Sequence, residues 1–210
     1  MDYSIIDTGG SRSFPAGDAF LGRSSPDADV VVVIGTQAGT AYPKTRAKTA
    51  LLLELGTECL GVHTGESRGL EGSNVLGFAR FRLGEAPPSN LVELVRQPKT
   101  DDAALAAAKQ VLEAAGLVVA VCNDFPGRIV DRLLRPYLNA ALRRLDEGLA
   151  TANDMDTTLR LGLGYPEGPI ALLERTGLAA HFDVTQALYE ALGDPAYAAA
   201  RRARVAKMRS

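Results

Sequence analysis

His63 and His181 are the only histidines in this chain, and no other side chain has an unperturbed pKa close to neutrality. His63 closes an expected strand, Glu58 to His63, where its ring could take a proton from a ligand; a structural histidine is the alternative. His181 opens an expected helix and is read as structural. Cys59 and Cys122 show no metal-ligand spacing and are too few for a disulfide scaffold, so they are expected as buried thiols and no metal site is expected. Gly35-Thr36-Gln37-Ala38-Gly39-Thr40 follows a strand-like run and partly echoes a GxGxxG phosphate loop. Gly35 and Thr36 are therefore candidate cofactor contacts, with an ordinary turn as the other reading. Arg201, Arg202, Arg204, Lys207 and Arg209 make the end of the chain basic and amphipathic, either a solvated face or a contact for an anionic ligand or partner.

The elements that must position these residues fall into two kinds. Val30-Val31-Val32-Val33-Ile34, ended by Gly35, is the pattern of a strand buried on both faces of a parallel sheet. Tyr3 to Ile6, Glu58 to His63, Asn74 to Phe81, Leu91 to Arg96 and Leu117 to Cys122 are expected as further strands. Helices are expected over Lys44 to Leu55 and Asp101 to Ala115, so strand and helix alternate as in an α/β layer. From Pro126-Gly127 onward the pattern is helical. Ile129, Leu133, Tyr137, Ala141, Leu145 and Leu149 recur at four-residue steps on one long helix with Pro136 inside it, which should bend the axis. Thr151-Ala152-Asn153-Asp154 supplies caps for a helix over Met155 to Leu161, and Ile170 to Arg175 and His181 to Leu192 complete a bundle.

The chain has 210 residues, 46% of them hydrophobic and 23% charged, with a formal net charge of -2. That balance describes one or two ordinary globular domains and implies neither nucleic acid nor membrane as a partner. No apolar run approaches the ~20 residues of a spanning helix. The acidic, Gly-rich start is unlike a signal peptide, and a cytoplasmic protein is expected.

Four stretches carry a family resemblance: Leu91-Val92-Glu93-Leu94-Val95-Arg96, the Pro126-Gly127 to Tyr137-Leu138 helix, Asp154-Met155-Asp156, and Leu161-Gly162-Leu163-Gly164-Tyr165-Pro166-Glu167-Gly168-Pro169. In order and spacing, from about Val75 to Tyr197, the chain resembles the 3-hydroxyacyl-CoA dehydrogenases, including the short-chain hydroxybutyryl-CoA forms. The resemblance implies an α/β Rossmann-like N-terminal domain with a mostly parallel sheet. An all-α domain like the C-terminal domain of 6-phosphogluconate dehydrogenase would follow, dimerising and helping to hold the acyl-CoA. Residues 1–122 and 123–210 are the expected domains. Asp27 to Ser67 looks like the second half of the NAD-binding fold. Its first half, with the glycine fingerprint and the acidic residue for ribose, is expected to be missing or reduced to Met1 to Pro26.

Such enzymes move a hydride between nicotinamide and C3 of the acyl chain while a histidine, oriented by a glutamate, handles the hydroxyl proton. The resemblance places that glutamate at Glu93 and the histidine at Ala79, or at Phe81 by an ungapped count. It places the substrate-contacting asparagine at Asp131, a phenylalanine at Arg128, and a serine within Thr64 to Ser67, with Ser67 the candidate. Arg128 and Asp131, one helical turn apart, are expected to pair. Alanine moves no proton, and a carboxylate repels an oxyanion. The expected function is thus a catalytically degenerate family member, a pseudoenzyme of fatty acid metabolism and a homodimer through its helical domain. It would bind or scaffold, with an acyl-CoA-like molecule as the candidate ligand and NAD as the family's cofactor. The rival is a divergent NAD(P)-dependent oxidoreductase on 3-hydroxyacyl-CoA or a related hydroxy acid, with His63 as base. A third reading is an interaction module that has lost ligand binding.

Overall fold

Tyr3–Asp7 forms strand β1 and pairs in parallel with β2, Val30–Ile34. In this computed structural model, which describes residues 2–66 and 73–210, a parallel sheet continues through β3 (Ala50–Glu54) to β4 (Val75–Arg80). Strand β5 (Leu91–Arg96) joins β4 antiparallel, and β6 (Val118–Asn123) joins β5 in parallel. The spatial order therefore follows the chain, β1 to β6. Short helices α1 (Ala38–Ala41) and α2 (Gly61–Thr64) follow β2 and β3, and α3 (Asp102–Ala114) links β5 to β6.

The unbroken apolar run of β2 has a direct cause. Val30, Val32 and Ile34 pack on one face of the sheet with Phe14, Phe20 and the Ala107-Ala108-Val111 stripe of α3. Val31 and Val33 pack on the other with Ala38, Tyr42 and Leu60. Both faces are covered, so no polar alternation is permitted.

The same physics corrects two expectations. Lys44 to Leu55 is not a helix: Ala50-Leu51-Leu52-Leu53-Glu54 is β3, buried along its whole length. A strand buried on both faces leaves no period by which to tell it from a helix, and sheet pairing overrides the helix propensity of leucine. Glu58 to His63 is not a strand: β4 already fills the place beside β3, and residues 61–64 close one helical turn. The strands expected at Tyr3 to Ile6, Val30 to Ile34, Asn74 to Phe81, Leu91 to Arg96 and Leu117 to Cys122 are present, as is the alanine-rich helix.

The chain divides into two compact units, residues 1–82 with 88–129, and residues 83–87 with 130–210. The second is helical: α4 (Val130–Asp146), α5 (Ala152–Leu163), α6 (Pro169–Thr176), α7 (Leu178–Leu192) and α8 (Arg201–Met208). Thr151 caps α5 by accepting from the Asp154 amide at 3.1 Å. Pro136 lies within α4. The face of α4 that packs within the chain carries Arg135, Leu138, Asn139, Ala141 and Leu142, and of the apolar stripe it takes in only Ala141. Leu133 is 74% exposed, and Leu149 is exposed as well. Helix α5 buries no residue fully. Among the described residues no helix is long and apolar enough to cross a membrane.

Candidate functional site

Glu93 lies on β5, its neighbour across the antiparallel register being Ala79 of β4. Both are buried. The chain leaves β6 through Pro126-Gly127, where Gly127 adopts φ 74° and donates its amide to Thr57 O at 2.8 Å. Arg128 follows with φ 51°, a left-handed conformation costly for a side chain with a Cβ. That backbone reversal sends the guanidinium inward. Its Nε donates to Glu93 Oε2 at 3.3 Å and its Nη2 to Gly56 O at 2.8 Å, while the Ile129 amide donates to Glu93 Oε1 at 2.8 Å. Arg128 Nη1 is buried with no acceptor among the described residues. On β6, burial first and the Glu93 carboxylate second push the Cys122 thiol up to about 11, against the opposing pull of Arg128. Cys122 therefore stays protonated at neutral pH and is no nucleophile. Both cysteines are free and half-buried, less enclosed than expected.

A second cluster lies at the carboxyl ends of β1 to β3, where open parallel sheets hold ligands. A cavity of about 240 Å³ there is walled by Gly35, Thr36, Gly39, Glu54, Glu58 and His63, among others. His63, on α2, sets Nε2 3.2 Å from Glu58 Oε1. Its ring lies against Gly39, where a Cβ would stand 1.9 Å from Nδ1, so any larger residue there would displace the ring. Burial acts to raise the Glu58 carboxyl, but the amides of Gly56 and of Glu58 itself, together with His63, outweigh it and hold the pKa below the usual value. His63 thus has what a base needs, an orienting carboxylate and a cavity beside it.

The expected cofactor contacts are otherwise engaged. Gly35 N donates to Glu54 Oε2 at 2.7 Å, and Thr36 N to Gly9 O at 2.9 Å. Gln37 N reaches Thr8 Oγ1 at 3.1 Å. NAD, which the family resemblance implies, would rest its pyrophosphate on strand-end amides such as these. Those donors are taken, and the cavity lies below the roughly 300–1,000 Å³ of pockets for drug-sized ligands. The residues present do not fit the pyrophosphate.

Asp131 belongs to the helical unit, in the first turn of α4. It does not pair with Arg128: it accepts from Arg135 Nε at 2.8 Å, one turn further on, because Arg128 precedes the helix and turns to Glu93. Arg135 also meets His181 Nδ1 at 2.9 Å, and His181 Nε2 meets Asn139 Oδ1 at 2.9 Å. His181 is structural, as read from the sequence. Thr64 donates to Gln97 Oε1 at 3.3 Å, and Ser67 lies outside the described residues.

The sheet unit therefore gathers His63, Gly35 and Thr36 around one cavity and buries Glu93 against Arg128. Reasoning from sequence passed over Glu54, Glu58 and Asp124. Asp124 accepts from the Leu60 and Gly61 amides at 2.6 and 2.8 Å and from Gln97 Nε2 at 3.2 Å. For Glu54 a signal existed, a lone charge ending the apolar run Ala50 to Leu53.

Residues 127–208 match the family model described as 3-hydroxyacyl-CoA dehydrogenase, C-terminal domain. A 3-hydroxybutyryl-CoA dehydrogenase of Bradyrhizobium diazoefficiens is 38% identical over 115 residues, 55% of this chain and 39% of the relative. The human mitochondrial hydroxyacyl-coenzyme A dehydrogenase is 41% identical over 92 residues, 44% of this chain and 29% of its own length. The chain thus spans less than half the length of these relatives. Among solved structures, an (S)-3-hydroxybutyryl-CoA dehydrogenase from Ralstonia eutropha aligns with a TM-score of 0.67 at 26% identity, over 84% of this chain and 64% of that one.

Proposed function

We propose that this chain, whose residues 127–208 match the C-terminal domain of the 3-hydroxyacyl-CoA dehydrogenases, is a member of that family that keeps the helical scaffold and has given up the family's proton transfer at Glu93. The buried Glu93–Arg128 pair supports this reading above all else. A glutamate that orients a catalytic histidine must leave an oxygen for the ring. Here Glu93 accepts from Arg128 and Ile129, and its cross-strand neighbour is the methyl of Ala79. Losing a general base costs ~10²–10⁴ in rate, which favours binding or scaffolding over turnover. The ligand class in keeping with the family is an acyl-CoA-like thioester. Purified protein mixed with NADH and acetoacetyl-CoA is expected to leave NADH unconsumed, and turnover at rates ordinary for an enzyme would overturn the proposal.

A second reading, a divergent NAD(P)-dependent oxidoreductase, is favoured by one observation, the His63–Glu58 pair beside a cavity. Any activity on a hydroxyacyl thioester or hydroxy acid that disappears in His63→Ala would select it.

The helical unit is proposed to form a homodimer. Leu133 and Leu161 are 74% and 81% exposed, and Leu149 and Leu163 of the same helical unit are exposed as well. Large aliphatic side chains left in water on α4 and α5 are what a second copy would cover.

A further inference from the structure

The geometry points to Glu54 as a built-in anion: its carboxylate occupies the amide nest in which a phosphate would otherwise sit, and so sets the specificity of the strand-end cavity against phosphate-bearing ligands.

Glu54 is the last residue of β3 and is buried. Its Oε1 accepts from the Arg12 amide at 3.0 Å and the Ser13 amide at 2.7 Å; its Oε2 accepts from the Gly35 amide at 2.7 Å. These donors come from two loops that follow neighbouring strands, the one after β1 and the one after β2. Amides converging from such loops are how Rossmann-like folds hold a phosphate. Here the same convergence closes on a carboxylate of the chain's own. The loops are brought together tightly: Gly35 has φ 97°, and a Cβ there would lie 2.3 Å from Gly9 O. Neighbouring donors are satisfied within the same loops, Thr36 N on Gly9 O and Gly9 N on Asp7 Oδ1.

An incoming phosphate would meet no vacant donor at these amides and would face the Glu54 and Glu58 carboxylates at close range. Hydrogen bonds to the anion are already made, and like charges repel. This inference is independent of the loss of base chemistry at Glu93, since it concerns which ligands enter a different cluster.

The full chain, Glu54→Ala and Glu54→Ser are compared by thermal unfolding in sodium chloride, sodium formate, sodium phosphate and NADH at matched ionic strength. The unaltered chain is expected to show no shift with phosphate or NADH beyond the chloride control. The variants are expected to melt lower and to recover several degrees in formate or phosphate, because an anion that binds only the folded state stabilises it. A rise in melting temperature of the unaltered chain with phosphate or NADH overturns the inference whether or not the variants fold. So do variants that fold and are unmoved by formate and phosphate.

Discussion

Arg135 Nη1 stands 2.9 Å from His181 Nδ1 in the interior of the helical unit. Guanidinium only donates, so Nδ1 accepts, and the ring proton sits on Nε2, donating to Asn139 Oδ1 at 2.9 Å. His181 is therefore neutral. Burial first, and the Arg135 charge second, push its pKa down to about 3. The unfolded chain binds this proton near pH 6.5 and the folded chain only near 3, so stability is full above about 6.5 and falls as pH drops through that window. The loss is on the order of 2 kcal/mol at pH 5. Urea midpoints at pH 5 and pH 7.5 check this: the difference should shrink in His181→Asn, which has no ring to protonate.

Arg128 and Glu93 form a buried pair whose halves are expected to be unequal to the whole. Removing one partner leaves a charge uncompensated in the interior, at a cost of roughly 3–5 kcal/mol, whereas replacing both by apolar residues costs far less. Glu93→Leu should accordingly lower stability sharply, and Arg128→Leu added to it should restore much of the loss. A double-mutant cycle by chemical denaturation measures the coupling; additive losses would contradict the pairing.

Strand β2 and the alanine-rich α3 were legible because each has a pattern that its environment enforces, a β-branched run covered on both faces and an apolar stripe on one. Strand β3 was not, because Ala50 to Leu53 are buried on both faces and carry no period. Helix α4 was legible as a helix, but not in which face turns inward: Arg135 and Asn139 are buried through bonds to His181 and Thr185, residues some forty positions away. Glu54 escaped notice for the same reason. Its partners, Arg12, Ser13 and Gly35, lie 19 to 42 positions from it, and the one local signal, a lone charge ending an apolar run, does not say which amides it meets.

Asp156 closes the start of α6, accepting from the Ile170 and Ala171 amides, each at 2.9 Å. Two otherwise orphaned helix donors are thereby satisfied by one carboxylate from α5. Asp156→Ala is expected to destabilise by about 1 kcal/mol, and Tm should fall by a few degrees. Gly168→Ala is expected to cost more, about 1–3 kcal/mol, since its Cβ would fall 2.2 Å from that of Asp156 while its φ of -74° is unstrained. The loss should shrink when both changes are made only if the side-chain carboxyl, and not the Asp156 Cβ that alanine retains, is the obstacle; differential scanning calorimetry of the single and double variants separates the two.

Leu133 projects from α4 with 74% of its surface exposed, although it belongs to the four-residue apolar stripe that marks this helix in the sequence. Leu138 and Leu142, the leucines that the chain itself buries on α4, lie off that stripe, and only Ala141 belongs to both. The stripe and the buried face are thus offset, and helix α5 likewise leaves Leu161 and Leu163 exposed. A side chain that touches little within its own chain contributes little to its folding, so Leu133→Asp is expected to change the stability of the isolated chain by no more than about 0.5 kcal/mol. Its effect on self-association should be large, because a charge at the centre of an apolar contact is desolvated without a partner. Analytical ultracentrifugation is expected to give twice the mass of one chain for the unaltered protein and the mass of one chain for the variant. An unaltered protein that sediments as a monomer across the micromolar range would remove the homodimer from the proposal and leave the exposed stripe to a different partner.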